Sequence, residues 1–240
     1  MKLKKISIFM GLALFLTFFN TITAQIPANV YHFEEKNKDG TLHHELKLDA
    51  DYYVHTIYKE SPAEFIKTMG GYYSTSGNKL MVDLEFNSNH KEDKITSINI
   101  PYRLQKGKLI LQGTKPMTFT PTKLGTQDLD GKWLMTGRVT EQGEQRRDTS
   151  RPRKTMKYLL NGHFQWIAYN TETFEFFGSG GGTYNATNGK YIENINYFSR
   201  DNSRVGAALS FNYELNGKDW HHTGKSSKGD PLNEIWTKRE

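Results

Sequence analysis

Two stretches, Leu80-Met81-Val82-Asp83-Leu84-Glu85-Phe86 and Tyr191-Ile192-Glu193-Asn194-Ile195-Asn196-Tyr197, decide the fold. The first sets Leu80, Val82, Leu84 and Phe86 against Met81, Asp83 and Glu85, the period of two that marks a half-buried antiparallel strand. The second repeats the pattern 111 residues later, with Glu193 in the place of Val82. The same offset aligns residues 48–113 with 159–224 without a gap, and 12 of those 66 positions are identical. Ordinary composition predicts roughly four. Tyr58/Tyr169, Phe65/Phe176, Gly70-Gly71/Gly181-Gly182, Tyr73/Tyr184 and Tyr102/Tyr213 are among the matches. A slip of one residue would turn every side chain to the other face, so an ungapped register argues for a duplicated strand meander.

Turn signals separate the strands: Ser76-Gly77-Asn78, Thr187-Asn188-Gly189, Gln105-Lys106-Gly107 and Asn216-Gly217-Lys218. No long helical period interrupts them. Each copy must therefore hide its edges by curling into a barrel or packing as a sandwich. The expected class is all-β, two tandem antiparallel meander barrels related by internal duplication. Module one is placed at residues 25–115 and module two at 128–240. Pro116, Pro121 and Gly125 mark a connector at 116–127.

Lys2, Lys4 and Lys5 precede an apolar run from Ile6 to Phe19, and Thr21-Ile22-Thr23-Ala24 closes it on a small residue. That is the plan of a cleavable signal peptide over residues 1–24, with an apolar run short for a membrane span. It implies a periplasmic or secreted protein with no integral membrane segment after cleavage. Cysteine is absent, so the core and not disulfides must hold the fold, and no lipoprotein anchor can form.

Without the three leader lysines the 32 basic residues fall to 29, against 26 acidic ones. That mild excess argues against a nucleic-acid partner. Of nine arginines only Arg103 precedes residue 125, so the second half is the better seat for an anion gripped by guanidinium forks. Where copy one is apolar and copy two ionisable, packing alone does not explain the change. Glu193 replaces Val82, and His221 and His222 replace Ile110 and Leu111 beside Trp220. Neighbours on a strand point oppositely, so one of the two histidines shares the inward face. Glu193, if inward, needs a cationic or hydrogen-bonding partner.

Arg200 and Arg204, in Ser199-Arg200-Asp201-Asn202-Ser203-Arg204, lie between two strands and offer a seat for carboxylate or sulfate; a loop neutralised by Asp201 is the plainer reading. His163, Trp166, Tyr169 and Tyr184 are candidate ligand contacts, with Phe164 assigned to the core. The run 146–154 is read as a solvated basic loop, and Gly178–Gly182 as a turn or bulge without a phosphate-binding setting. No histidine spacing gives a metal site and no cofactor motif appears.

Gly131-Lys132-Trp133, a following meander, and Glu234-Ile235-Trp236-Thr237-Lys238-Arg239 resemble the lipocalin-like domains of secreted proteins from polysaccharide-degrading bacteria. The resemblance implies that Lys238 or Arg239 packs over Trp133. The chain is also similar to exported proteins found with ulvan-degrading enzymes, one type of which is an oligosaccharide dehydratase. Arginines, histidines and tyrosines converging in a cleft suit β-elimination on the uronic acid of an anionic, sulfated oligosaccharide. That is a lyase reaction if a sugar leaves C4 and a dehydration if water leaves; the likeness implies dehydration, and a monomer is expected. On this view Arg200 or Arg204 neutralises the carboxylate, His222 or His221 is the base, Tyr169 or Tyr184 the acid, and Glu193 orients the histidine. His163, Trp166 and Trp220 are substrate contacts. The alternative is a non-catalytic barrel that binds a small ligand or glycan.

Overall fold

In the computed structural model, residues 25–226 and 229–239 are described; the leader expected at 1–24 lies outside them. Strands β1 (Asn29–Asn37), β2 (Gly40–Leu48), β3 (Tyr52–Glu60), β4 (Ala63–Ser76), β5 (Lys79–Asn87), β6 (Ser97–Gln105), β7 (Lys108–Gln112) and β8 (Pro116–Pro121) pair in order. They close where β8 meets β1, Tyr31 opposite Pro121. One helical turn, His90–Asp93, joins β5 to β6.

The second meander runs β9 (Gly131–Thr140), β10 (Gly143–Arg146), β11 (Arg153–Leu160), β12 (His163–Asn170), β13 (Phe176–Thr187), β14 (Lys190–Phe198), β15 (Ala208–Asn216), β16 (Asp219–Lys225) and β17 (Pro231–Lys238). It closes by β9 pairing with both β11 and β17, with β10 folded back on the outer half of β9. The protein is thus two eight-stranded antiparallel barrels in tandem.

The connector begins later than expected, because Pro116–Pro121 is the strand that closes the first barrel. Met117 and Phe119 alternate inward there, and the prolines sit at the strand's two ends, where a missing donor costs little. The duplicated Gly-Gly pairs have one cause. Both ladders shift register between Gly70/Gly71 and between Gly181/Gly182. A Cβ on Gly71 would collide with the carbonyl of Asp83, and one on Gly182 with that of Asn194. Of the two readings of the glycine run, the bulge is the one formed, inside β13.

Duplication is also written into the packing of the barrels. The outer faces of β3 and β12 meet, burying Tyr52, Val54, Phe86, Met156, Tyr158, Ile167 and Tyr169. Tyr58 lies 4.8 Å from Tyr197 and Tyr169 4.9 Å from Phe86, ring to ring. Phe65 stacks on Phe176 at 6.0 Å. Residues 58 and 169, 86 and 197, and 65 and 176 are pairs related by the 111-residue offset, so the interface is isologous within one chain. At its middle Gln165 donates to Thr68 and Ser179 and accepts from Thr56. Arg239 reaches from the end of β17 to grip both oxygens of Glu85 at 2.6 and 2.8 Å.

Candidate functional site

Inside the second barrel a buried plug lies beneath a lined cavity. Leu129, Trp133, Leu159, Phe164, Tyr184 and Trp220 plug one end and are buried. Lys238 lays its ammonium over the Trp133 ring at 5.6 Å, while Arg239 turns instead to Glu85 and the neighbouring barrel. Above the plug a cavity of about 280 Å³ opens towards the other end. Its walls are apolar and aromatic: Trp166, Ile195, Phe198, Leu209, Phe211 and Trp236. Four ionisable side chains enter it from β11, β14, β16 and β17: Lys157, Glu193, His222 and Glu234.

Lys157 donates to Glu193 at 2.8 Å, and the Tyr191 hydroxyl donates to the same oxygen at 2.7 Å. The ammonium also faces the rings of Tyr191, Trp220 and Trp236 at 5.0–5.3 Å. Glu193 is 5% exposed, so its charge is sustained by that cation and hydroxyl and not by water. His222 Nδ1 lies 3.4 Å from a Glu234 oxygen that also accepts from Trp236 Nε1 at 3.1 Å. His222 Nε2 is buried and has no hydrogen-bond partner among the described residues.

The first barrel serves as control. Residues opposite Lys157, Glu193 and His222 by the 111 offset are Leu46, Val82 and Leu111, all buried in its core. The ladders extend the comparison. Glu234 pairs with His222 as Met117 pairs with Leu111, so Met117 is its counterpart. One fold closes around hydrocarbon at four positions where its copy holds a cation, two carboxylates and an imidazole.

Burial pulls the His222 pKa down to about 4, helped by the charge of Lys157 and opposed by Glu234. In the unfolded chain it returns to about 6.5. Between these values the unfolded state binds a proton that the folded state refuses, so stability falls as pH falls from about 6.5 to about 4. Each such histidine contributes up to about 1.4 kcal/mol per pH unit. His55, pushed by burial to about 3, acts in the same direction. His222→Leu is therefore expected to flatten the Tm-against-pH curve between pH 6.5 and 4 by one histidine's worth; an unchanged slope would place the ring in water.

Other expected residues divide clearly. Arg204 lines the cavity mouth, its Nε 3.3 Å from Asp201, which also caps the turn Asn202–Arg204. Arg200 donates to the Phe177 carbonyl and lies 5.9 Å from the Trp166 ring, beside the mouth but not in the lining. His221, one residue before the inward His222, takes the outward face of β16, so it cannot serve as the base. Trp220 belongs to the plug beneath His222, 5.1 Å away ring to ring, and does not line the cavity.

Tyr169 and Tyr184 cannot supply the acid. Tyr169 is sealed between the barrels, its hydroxyl 3.1 Å from Glu85, and Tyr184 points into the plug and donates to Asp130. Burial raises both phenols above their usual range. His163 also faces the other barrel and not the cavity, with Nδ1 3.1 Å from Glu45. Lys157 and Glu234 were missed, although Lys157 stands only two residues before the aligned block.

No family model matches the chain, and no curated protein matches it. Among solved structures, the Helicobacter pylori beta clamp bound to a DNA ligase peptide aligns at 11% identity with a TM-score of 0.16, over 88% of this chain and 57% of that one. The chain thus spans little more than half of the clamp, and a score of that size carries no argument.

Proposed function

We propose that the second barrel takes the non-reducing end of a uronic-acid oligosaccharide and eliminates water from it. The observation that carries this reading is the His222–Glu234 pair, with Nε2 of the imidazole unpartnered, beside the Lys157–Glu193 pair in a cavity plugged at its far end. A pocket with one opening suits a chain end and not the middle of a polymer. The leader expected at 1–24 fits an exported protein meeting its glycan outside the cytoplasm.

The chemistry needs a cation at the carboxylate, a base at C5 and a donor at the C4 oxygen. Arg204 at the mouth supplies a guanidinium. His222, neutral at pH 7, takes the C5 proton on Nε2, and Glu234 behind Nδ1 stabilises the imidazolium formed. The C5–H electron pair becomes the C4=C5 double bond, and the C4 hydroxyl leaves as water with a proton from Lys157. Glu193 and Tyr191 position that ammonium.

Saturated uronate oligosaccharides incubated with the protein are expected to gain the ultraviolet absorbance of a conjugated carboxylate and to lose one water by mass. His222→Ala should abolish both signals. Product formation that survives His222→Ala and Arg204→Ala overturns the reading. The aromatic walls favour a second reading, a binding barrel. Saturable binding without product across a diverse panel would establish it.

A further inference from the structure

The isologous interface between the barrels is chemically lopsided. At one end Tyr52 of β3 meets Met156 and Tyr158 of β11 in an apolar cluster, with Leu134 packed against it. At the related end the same positions, displaced by the duplication, hold His163 of β12 with Glu45 and Lys47 of β2. His32, paired with Glu45 across the β1–β2 ladder, stands where Leu134 pairs with Met156. The matched positions at one end carry only Tyr52, Met156, Tyr158 and Leu134, with Arg239–Glu85 and Lys132–Asp51 flanking them, so packing does not explain why the other end places a carboxylate, an ammonium and two imidazoles at those positions.

We propose that His32, Glu45 and His163 form a binding site for a divalent transition ion of the zinc type, shared between the two barrels. Their ligand atoms lie within 4.8 Å of one another. Two imidazoles and a carboxylate are a donor set suited to Zn2+, leaving a further position for solvent. His163 Nε2 lies 3.3 Å from the Thr122 hydroxyl, an outer partner that fixes the ring and leaves Nδ1 facing Glu45. The His32 side chain is half-buried, makes no hydrogen bond among the described residues and lies with its ring 4.8 Å from that of His163.

Lys47 is the competing cation. It is bonded to the Glu45 oxygen turned away from His163, and Tyr197 approaches that same oxygen at 3.4 Å. The second carboxylate oxygen is the one at 3.1 Å from His163. The ion would use that second oxygen and leave the Lys47 contact in place.

The test is independent of the cavity and of its proposed chemistry. EDTA-treated full-length protein titrated with Zn2+ should bind one ion. At a hundredfold excess over Kd the Tm should rise by roughly 5–10 °C. His32→Ala, a substitution at the half-exposed rim, should keep the metal-free Tm and weaken binding at least tenfold. His163→Ala should do the same to binding. Absence of saturable binding overturns the proposal. Binding untouched by His32→Ala but lost in His44→Ala also overturns it, by moving the ion to the buried His44–His55 pair that packs on Phe119 in the first barrel.

Discussion

Glu193→Val should lower the stability of the protein by about 3–5 kcal/mol, although valine is the residue its own first barrel uses at that place. The loss comes from what remains. Lys157 would be held among Tyr191, Trp220 and Trp236 without the carboxylate at 2.8 Å that sustains its charge. Breaking a buried pair from one side exposes the whole desolvation cost of the other ion. For a chain of this size the Tm should fall by roughly 10 °C.

Lys157→Leu/Glu193→Val, which rebuilds the Leu46/Val82 arrangement, should recover most of the loss, because well-packed hydrocarbon of similar volume is an even exchange for a buried pair. Thermal unfolding of the two single variants and the double closes the cycle. A silent single substitution would show Glu193 to be solvated. A double variant as unstable as either single would show that the second barrel cannot pack as the first does.

The architecture was legible because its signals are local and repeated. Alternation over residues 80–86 and 191–197 survives in β5 and β14, and the Gly-Gly pairs mark the same bulge twice. The closing strand β8 was hidden by prolines that normally read as punctuation. Two cavity residues were lost for different reasons. Lys157 lay just outside the aligned block, though the 111 offset reaches it and returns Leu46. Glu234 is beyond that offset, because the connection from β16 to β17 is longer than the one from β7 to β8; only the ladder shows Met117 as its counterpart. Tyr169 and His163 were misplaced for a deeper reason. Period two separates the faces of a strand but not the inside of a barrel from an outside covered by a second barrel. Both faces of β3 and β12 are buried, and their sequences alternate between two cores.

Replacing the pair His222 and Glu234 should cost function far more than stability. His222→Leu/Glu234→Met copies Leu111 and Met117 and removes a buried nitrogen that has no partner among the described residues, but it also takes the acceptor from Trp236 Nε1, so the two effects offset and the Tm at pH 7 should change little. Product formation should fall by about 10²–10⁴-fold, the share a positioned base supplies. A residue kept only for packing gives the reverse, loss of stability with activity in proportion to the folded fraction. Glu234→Gln separates the parts further. It keeps volume and an acceptor at Nδ1 but withdraws the charge that stabilises an imidazolium, so it should lower the rate while leaving ligand binding and Tm near wild type. If the double variant still forms product, the imidazole is not the base; if Glu234→Gln weakens only binding, the pair contributes affinity and the cavity is a receptor, an outcome that would also account for walls rich in apolar and aromatic side chains.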